Sequence, residues 1–255
     1  MDIPAGCNIE VALELAALSE QTYLQLEAFQ NGQTWQKPQG YHIKKVMMAE
    51  EQDGEVEVPI GFIATKGDNV YVCWRGTQTA EEWLDDLNVP QTRCDYLPGD
   101  LKVEEGFYQV YTGTPAASPQ QVVREYLSKK VITGKLYVTG HSLGAAVAVL
   151  NIIDIAANTA QTHPVLYTFA GPRVGSPEFA DYYNAQIEQS WRVVNSHELV
   201  PKVPLKDTFS YDYQHVNEEF DITFGEVWTL GDDHDLSNYI TQLKKIKQAT
   251  AVTPA

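Results

Sequence analysis

The sequence predicts an α/β fold with a mostly parallel central sheet and helices on both faces. Short apolar runs typical of buried strands alternate with stretches typical of helices through the middle of the chain. A Gly-x-Ser-x-Gly turn at residues 140–144 joins one such strand to the helix after it. Since 255 residues suit one α/β domain, we expect a single domain over residues 1–255.

The turn around Ser142 is the most informative stretch of the chain. Leu136 to Val138 predicts a buried strand, and the alanines after Gly144 favour a helix. A sharp strand-to-helix turn of this kind is the nucleophile elbow of an α/β-hydrolase, in which the serine is strained and its hydroxyl is expected to face solvent. Only glycine fits easily two residues to either side. The alternative is an ordinary glycine-rich turn whose serine takes no part in chemistry.

The amino-terminal part predicts a helix and then a hairpin. Asn8 is a good cap, so we expect a helix that runs to about Phe29 and ends at Asn31-Gly32. Two β-rich runs over residues 59–65 and 70–74 flank turn residues, which indicates a hairpin.

A short amphipathic helix is expected over residues 79–88. Residues 79–82 form a capping box, Thr-x-x-Glu. The apolar residues on one face of the helix are Ala80, Trp83, Leu84 and Leu87. The pattern fits packing against the core and a surface that covers a site equally well.

The rest of the chain continues the alternation. Residues 89–102 are expected to form a loop. Helices are predicted over residues 104–111, 118–129, from 177 onwards and 235–248, and strands over 165–169, 191–195, 215–224 and 226–230. In such sheets ligands gather at the carboxyl ends of the strands.

A nucleophilic serine needs a base and an acid that orients the base. In α/β-hydrolases the acid and then the histidine follow the serine along the chain. His234 is the expected base because it lies in a polar loop between a strand and a helix, with His215 as the alternative. Glu198, just beyond a predicted strand, is the expected acid, with Asp207 as the alternative.

The tetrahedral intermediate of ester hydrolysis needs preorganised hydrogen-bond donors. The backbone N–H of Leu143 is one expected donor, and Thr77, after an early strand, supplies the second. No cofactor is needed. No metal site is expected either, since Asp235 is interpreted as a helix cap and its acidic neighbours as exposed charge; a calcium site in this acidic cluster is the weaker alternative.

Composition argues against several functions. A formal net charge of −16 disfavours nucleic-acid partners and strongly anionic membranes, but leaves neutral lipids and small esters open. No apolar run is long enough for a transmembrane helix, and no signal peptide is visible. Three widely spaced cysteines form no disulfide pattern. A cytoplasmic location is therefore expected over secretion.

With these residues identified, the chain resembles the class 3 lipase family, the fungal-type triacylglycerol lipases and their bacterial and plant relatives. The matching segments, in family order, are Trp74-Arg75-Gly76-Thr77 with Trp83 and Asp86, Gly106-Phe107, Gly140-His141-Ser142-Leu143-Gly144, Phe169 to Gly175, Val194-Asn195 with Val200-Pro201, and His234-Asp235-Leu236. The resemblance implies a serine triad, an oxyanion threonine at Thr77 and a lid over residues 79–88. One departure is Glu198, where the family usually has Asp.

The resemblance implies a carboxylic ester hydrolase that acts on acylglycerols, in peripheral contact with lipid–water interfaces. A phospholipase A1, a galactolipase or a feruloyl esterase would carry the same motifs and remains the alternative. A non-catalytic lipid-binding homologue is disfavoured, because such proteins generally lose the serine or the histidine.

Overall fold

Strands and α-helices alternate between residues 136 and 194, whereas the earlier described residues contain one helix, then five strands, then two helices. The computed structural model describes residues 3–50, 57–77, 90–114, 118–207, 210–225 and 234–252. The strands are β1 (His42–Glu50), β2 (Glu57–Lys66), β3 (Asn69–Trp74), β4 (Gln91–Arg93), β5 (Lys102–Glu104), β6 (Leu136–His141), β7 (Val165–Phe169), β8 (Gln189–Val194) and β9 (Glu219–Asp221). The helices are α1 (Ile9–Gln30), α2 (Glu105–Thr112), α3 (Pro119–Ser128), α4 (Leu143–Asn158), α5 (Pro177–Gln186) and α6 (Leu236–Val252), with a short 3-10 helix over Val200–Lys202.

Seven of these strands form one sheet in the order β1-β2-β3-β6-β7-β8-β9. The first three pair antiparallel, and every pair from β3 to β9 is parallel. Alternate residues of β3 enter two different buried clusters: Val72 and Trp74 join the cluster built with α2 to α5, whereas Tyr71 and Cys73 join the one built with α1 and α6. Since successive strand residues point to opposite faces, helices cover both faces and the predicted α/β architecture is confirmed.

The predicted helix starts are confirmed by their caps. The side chain of Asn8 accepts hydrogen bonds from the backbone N–H groups of residues 10 and 11 at the start of α1. Ser118 and Ser176 cap α3 and α5 in the same way, each followed by a proline in the first turn. These caps are local signals, which explains why the sequence alone located them.

Two sequence predictions need correction, and one strand was not predicted. Residues 89–102 are not all loop, because β4 pairs with β5 in a separate antiparallel sheet. Of the strand expected over residues 215–224, only β9 forms. The edge strand β1 is the one that was not predicted. The strands β4, β5 and β9 are only three residues long, too short for a periodic signal, and β1 carries Lys44 and Lys45 near its start.

Two predicted elements lie outside the described residues. They are the amphipathic helix over residues 79–88, with Ala80, Trp83, Leu84 and Leu87, and the strand over residues 226–230. Both stay predictions. Among the helices of the described residues, none is sufficiently long and apolar to cross a membrane.

A buried polar network ties α4 to α2 and α3. Asp154 on α4 is fully buried and accepts hydrogen bonds from Tyr111 (2.7 Å) and from the Arg124 guanidinium. Tyr111 in turn accepts from Asn151, whose amide oxygen receives the indole N–H of Trp74 at the end of β3. The side chain of Asp154 is therefore structural rather than solvated.

Asp154→Ala is expected to lower the free energy of unfolding by about 2–4 kcal/mol, because it leaves a buried hydroxyl and a guanidinium without their acceptor. This loss of stability is smaller than the loss expected from breaking a fully buried ion pair, since the Arg124 side chain is 34% exposed and water will solvate it in part. Urea unfolding measures the change. Asp95→Ala, which breaks an exposed ion pair with Arg93, is the control and is expected to leave stability unchanged. Equal effects of the two substitutions would contradict the network.

Candidate active site

The turn between β6 and α4 has the strained geometry that its sequence predicts. Ser142 occupies a positive φ of 58° and ψ of −128°, which a residue with a side chain rarely adopts. A Cβ at Gly140 would lie 2.1 Å from the carbonyl oxygen of Gly144, and one at Gly144 would lie 2.5 Å from that of Trp74. Both glycines are therefore required by close backbone approach, as predicted.

The expectation that the Ser142 hydroxyl faces solvent is wrong. Ser142 is fully buried. One reason is that Gly76 lies directly against it: a Cβ at Gly76 would be 2.9 Å from the Ser142 Cβ and 2.6 Å from the carbonyl oxygen of His141. The backbone that leads from β3 to Thr77 thus packs onto the elbow, where the sequence predicts an oxyanion donor.

The structure brings Glu198 and His234 together. Glu198 follows β8 and is 1% exposed, and His234 lies just before α6. One carboxylate oxygen of Glu198 accepts a hydrogen bond from His234 Nδ1, and the other accepts from the Tyr239 hydroxyl on α6. Burial, followed by the nearby charge of Glu198, raises the pKa of Tyr239 well above its usual value, so that this hydroxyl keeps its proton.

These contacts orient the imidazole of His234. Because the Glu198 carboxylate only accepts, the ring proton sits on Nδ1 and Nε2 is left as an acceptor. The ring lies against the elbow: its centroid is 4.6 Å from that of His141, and the His234 carbonyl accepts from His141 Nε2 at 2.9 Å. The histidine and the serine are therefore neighbours in space although 92 positions separate residues 142 and 234.

Eight buried side-chain polar atoms meet no hydrogen-bond partner among the described residues. Three of the eight belong to predicted site residues: Thr77 Oγ1, Ser142 Oγ and His234 Nε2. Buried polar groups are nearly always paired, so each unpaired one calls for an explanation, and a catalytic role is such an explanation for these three. Ser142 and His234 do not hydrogen-bond to each other here. In free enzymes such bonds are often long and form only with substrate.

The alternative base and acid lie elsewhere. His215 donates from Nε2 to the carbonyl of Pro201 at 2.6 Å, and burial lowers its pKa well below the usual value, as expected of a structural histidine. Asp207 forms an isolated backbone bridge with Asp212. Both residues line a cavity of about 580 Å³ that none of Ser142, Thr77 and His234 lines. Neither alternative therefore joins the pair of Glu198 and His234.

The remaining predicted residues are placed as follows. Leu143 is the first residue of α4, so its backbone N–H lies at a helix start, where such groups have no partner within the helix. Asp235 accepts from the backbone N–H of Ser237 at 2.7 Å, which fits its interpretation as a cap of α6. Within the described ranges, no group of three or more His, Cys, Asp or Glu side chains has the arrangement of a metal site.

Sequence reasoning missed Tyr239. Its spacing on α6 identifies it only as an inward-facing residue, and its partner Glu198 lies 41 positions away. No local pattern reports such a pair, because the contact exists only after α6 packs beside β8.

Comparisons with known proteins agree with this geometry. A family model described as "Lipase (class 3)" matches residues 71–208, more than half of the chain. Among curated proteins, the chain is 30% identical over 227 residues to the phospholipase A1 EG1, chloroplastic/mitochondrial, of Oryza sativa subsp. indica, covering 72% of this chain and 52% of that protein. It is 30% identical over 167 residues to the lipase of Rhizomucor miehei, covering 63% of this chain and 44% of that protein. The chain thus spans about half the length of these relatives.

Solved structures are similar over most of the chain. One, a triacylglycerol lipase described by the serine protease triad at its catalytic centre, has a TM-score of 0.70 at 25% identity, covering 87% of this chain and 82% of that one. Lipase II from Rhizopus niveus has a TM-score of 0.68 at 25% identity, covering 85% and 81%. The sheet order and these similarities identify the fold as that of the α/β-hydrolases.

Proposed function

Because this chain belongs to the class 3 lipase family, we propose that it is a serine ester hydrolase that cleaves acylglycerol esters. The observation that carries the proposal is the contact of the Glu198 carboxylate with His234 Nδ1, beside an elbow serine whose hydroxyl has no hydrogen-bond partner among the described residues. Glu198 orients the imidazole, His234 is the base and Ser142 is the nucleophile. That arrangement suits acyl transfer through a covalent intermediate.

The proposed reaction has two halves. Ser142 Oγ forms a bond to the ester carbonyl carbon while its proton passes to His234 Nε2. The backbone N–H groups of Thr77 and Leu143, with the Thr77 hydroxyl, stabilise the oxyanion. The tetrahedral intermediate expels the alcohol, which takes the proton from His234. Water then attacks the acyl-enzyme, gives a proton to His234, and the carboxylic acid leaves as Ser142 regains its proton.

The glutamate in place of the family's usual aspartate fits this scheme. Its longer side chain is held at both oxygens, by His234 and by Tyr239. Because two hydrogen bonds fix this carboxylate, the extra methylene of glutamate adds little freedom of movement. Glu198 therefore makes the same contact with Nδ1 that the shorter side chain of an aspartate would make.

Phospholipase A1 activity is the second candidate, because several relatives, from Oryza sativa and Arabidopsis thaliana, are named as phospholipases A1. The chemistry at the ester carbon is the same, so the distinction lies in the headgroup. The acidic side chains of residues 81–86 and the net charge of −16 disfavour anionic phospholipids. If phospholipids are substrates, the negative charge of the protein therefore favours zwitterionic ones.

Contact with a lipid surface is part of the proposal. In the helix predicted over residues 79–88, the apolar residues would share one face and the acidic residues the other. Such a helix would cover an apolar site in water and turn its apolar face toward lipid at an interface. A cytoplasmic location stays part of the proposal, supported by three cysteines that are all free thiols.

Labelling and substrate selection test the proposal together. Diethyl p-nitrophenyl phosphate is expected to phosphorylate Ser142 Oγ with release of p-nitrophenolate, which mass spectrometry of peptides will locate. Hydrolysis of tributyrin, long-chain triglyceride and zwitterionic phospholipid, measured below and above the solubility limit of each, assigns the substrate and reports interfacial activation. Labelling at a different residue, or hydrolysis of none of these esters, would refute the proposed function.

A further inference from the structure

We infer that Tyr23 and His141 are positioning residues of this site, which hold the oxyanion backbone and the His234 loop against the nucleophile elbow. This inference rests on the proposed function and deepens it. Neither residue touches the reacting atoms. They act through the residues next to Ser142 and through the backbone of His234.

The first step is the pair of hydrogen bonds on the His141 ring. His141 Nε2 lies 2.9 Å from the carbonyl oxygen of His234, and His141 Nδ1 lies 2.8 Å from the Tyr23 hydroxyl oxygen. A carbonyl oxygen only accepts, so Nε2 carries the ring proton. Nδ1 is then an acceptor, and the Tyr23 hydroxyl must donate to it. The contacts thus determine one tautomer of His141.

The second step links the same hydroxyl to the oxyanion backbone. The Tyr23 oxygen packs directly against the backbone of Gly76, the residue before Thr77, since a Cβ at Gly76 would lie 2.3 Å from that oxygen. One hydroxyl therefore packs against the backbone beside the predicted oxyanion threonine and donates to the residue beside the proposed nucleophile.

The third step concerns charge. Burial, with the neighbouring His234, holds the pKa of His141 well below its usual value, and burial raises that of Tyr23. Both groups therefore stay neutral at neutral pH. Since the His141 ring lies 4.6 Å from the His234 ring, centroid to centroid, a neutral His141 places no positive charge beside the imidazolium that forms on His234 during turnover.

These contacts join three segments that are distant in sequence. Tyr23 lies on α1, 118 positions from His141, and His141 lies 93 positions from His234. Removing the Tyr23 hydroxyl would free the His141 ring to rotate or change tautomer, and it would remove the atom that packs against the Gly76 backbone. Both changes displace groups whose positions within a fraction of an ångström decide the rate.

Tyr23→Phe tests the inference, with Tyr183→Phe as its matched control. Tyr183 is fully buried, whereas Tyr23 is only partly buried, and the Tyr183 hydroxyl lies 3.0 Å from that of Ser190, away from the site. For Tyr23→Phe we expect kcat to fall about 10- to 100-fold with KM changed less than about twofold. Affinity for an alkylboronic acid, which forms a tetrahedral adduct on a nucleophilic serine, should fall by the same factor as kcat/KM. Tyr183→Phe should lose about as much stability as Tyr23→Phe, but its kcat and its affinity for the boronic acid should be unchanged.

The opposite results are equally clear. Equal effects of the two substitutions, or an effect of Tyr23→Phe confined to stability, would show that the Tyr23 hydroxyl is only structural and would overturn the inference. If Tyr23→Phe does not fold, a comparison of His141→Gln with His141→Ala tests the inference instead. Glutamine retains an N–H donor for the His234 carbonyl, whereas alanine does not. Higher kcat in His141→Gln than in His141→Ala supports the inference, and equal kcat overturns it.

A measurement that does not depend on enzymatic activity can test this inference independently of the proposed function. In ¹⁵N NMR of the wild-type protein, His141 is expected to be neutral with the proton on Nε2, and Tyr23→Phe is expected to shift its Nδ1 resonance. A cationic ring, or a proton on Nδ1, would overturn the positioning network even in an active enzyme. Absence of ester hydrolysis with this NMR signature intact would instead refute the proposed function alone.

Discussion

Replacing Ser142 by Ala is expected to abolish ester hydrolysis, with a fall in kcat of about 10⁴-fold or more. The proposed nucleophile is then absent, and only substrate binding and the oxyanion donors remain to assist direct attack by water. Covalent labelling by the organophosphate should disappear in the same variant. Initial rates on p-nitrophenyl esters and intact-protein mass spectrometry measure the two effects.

The fold should survive this substitution. Ser142 Oγ makes no hydrogen bond with the described residues, so alanine removes no contact there, and the positive φ is equally strained for both residues. Ser142→Gly is expected to be at least as stable, since glycine tolerates that conformation. The control is Ser190→Ala. Ser190 is a buried serine remote from the site, and its hydroxyl donates to the carbonyl of Asn217, so this variant should keep full activity. Substantial turnover by Ser142→Ala with intact labelling would identify another nucleophile.

Glu198→Gln is expected to lower kcat by about 10³- to 10⁴-fold with little change in KM. The amide that replaces the carboxylate can donate to His234 Nδ1, which would place the ring proton on Nε2 and remove the acceptor that Ser142 needs. The charge that stabilises the imidazolium is lost as well. Steady-state kinetics on a soluble short-chain ester, below any interface, measures the effect without a contribution from the lipid surface.

Asp207→Asn is the matched control for the acid, because it makes the same chemical change at the alternative position. Asp207 is exposed, and the carboxylate that bonds to His234 Nδ1 is that of Glu198, so the rate should stay within about twofold of the wild type. A large loss in Asp207→Asn with a small one in Glu198→Gln would reverse the assignment. Circular dichroism and thermal unfolding must be comparable in both variants, since Glu198 is buried and also accepts from Tyr239.

The fold and the principal residues were accessible from the sequence because their signals are local. Asn8, Ser118 and Ser176 cap helices through side-chain bonds to backbone groups two or three positions away. The elbow requires glycine at residues 140 and 144 for steric reasons that operate within the turn itself and against the neighbouring strand. The positions of Glu198 and His234 followed from chain order after predicted strands, a rule of the fold rather than of these residues.

Other features could not be predicted from the sequence because no local sequence pattern indicates them. The pairing of β4 with β5 rests on three residues in each strand. The burial of Ser142 depends on the backbone near Gly76, which comes from a different strand. The roles inferred for Tyr23 and Tyr239 depend on hydroxyl contacts with His141 and Glu198, and both tyrosines have the apolar spacing of ordinary core residues.

By itself, then, the amino-acid sequence determined the alternation of strands and helices and the strained serine turn, because propensity, capping and steric exclusion act within a few positions of the chain. The proposed acid and base, Glu198 and His234, were predicted from their order along the chain. Tertiary structure alone decided which atoms meet at the site: the two partners of the Glu198 carboxylate, the tautomer of His141 and the closeness of Gly76 to Ser142. Those contacts join residues 36 to 118 positions apart, and they form only when the packing of α1 and α6 against the sheet brings the segments together.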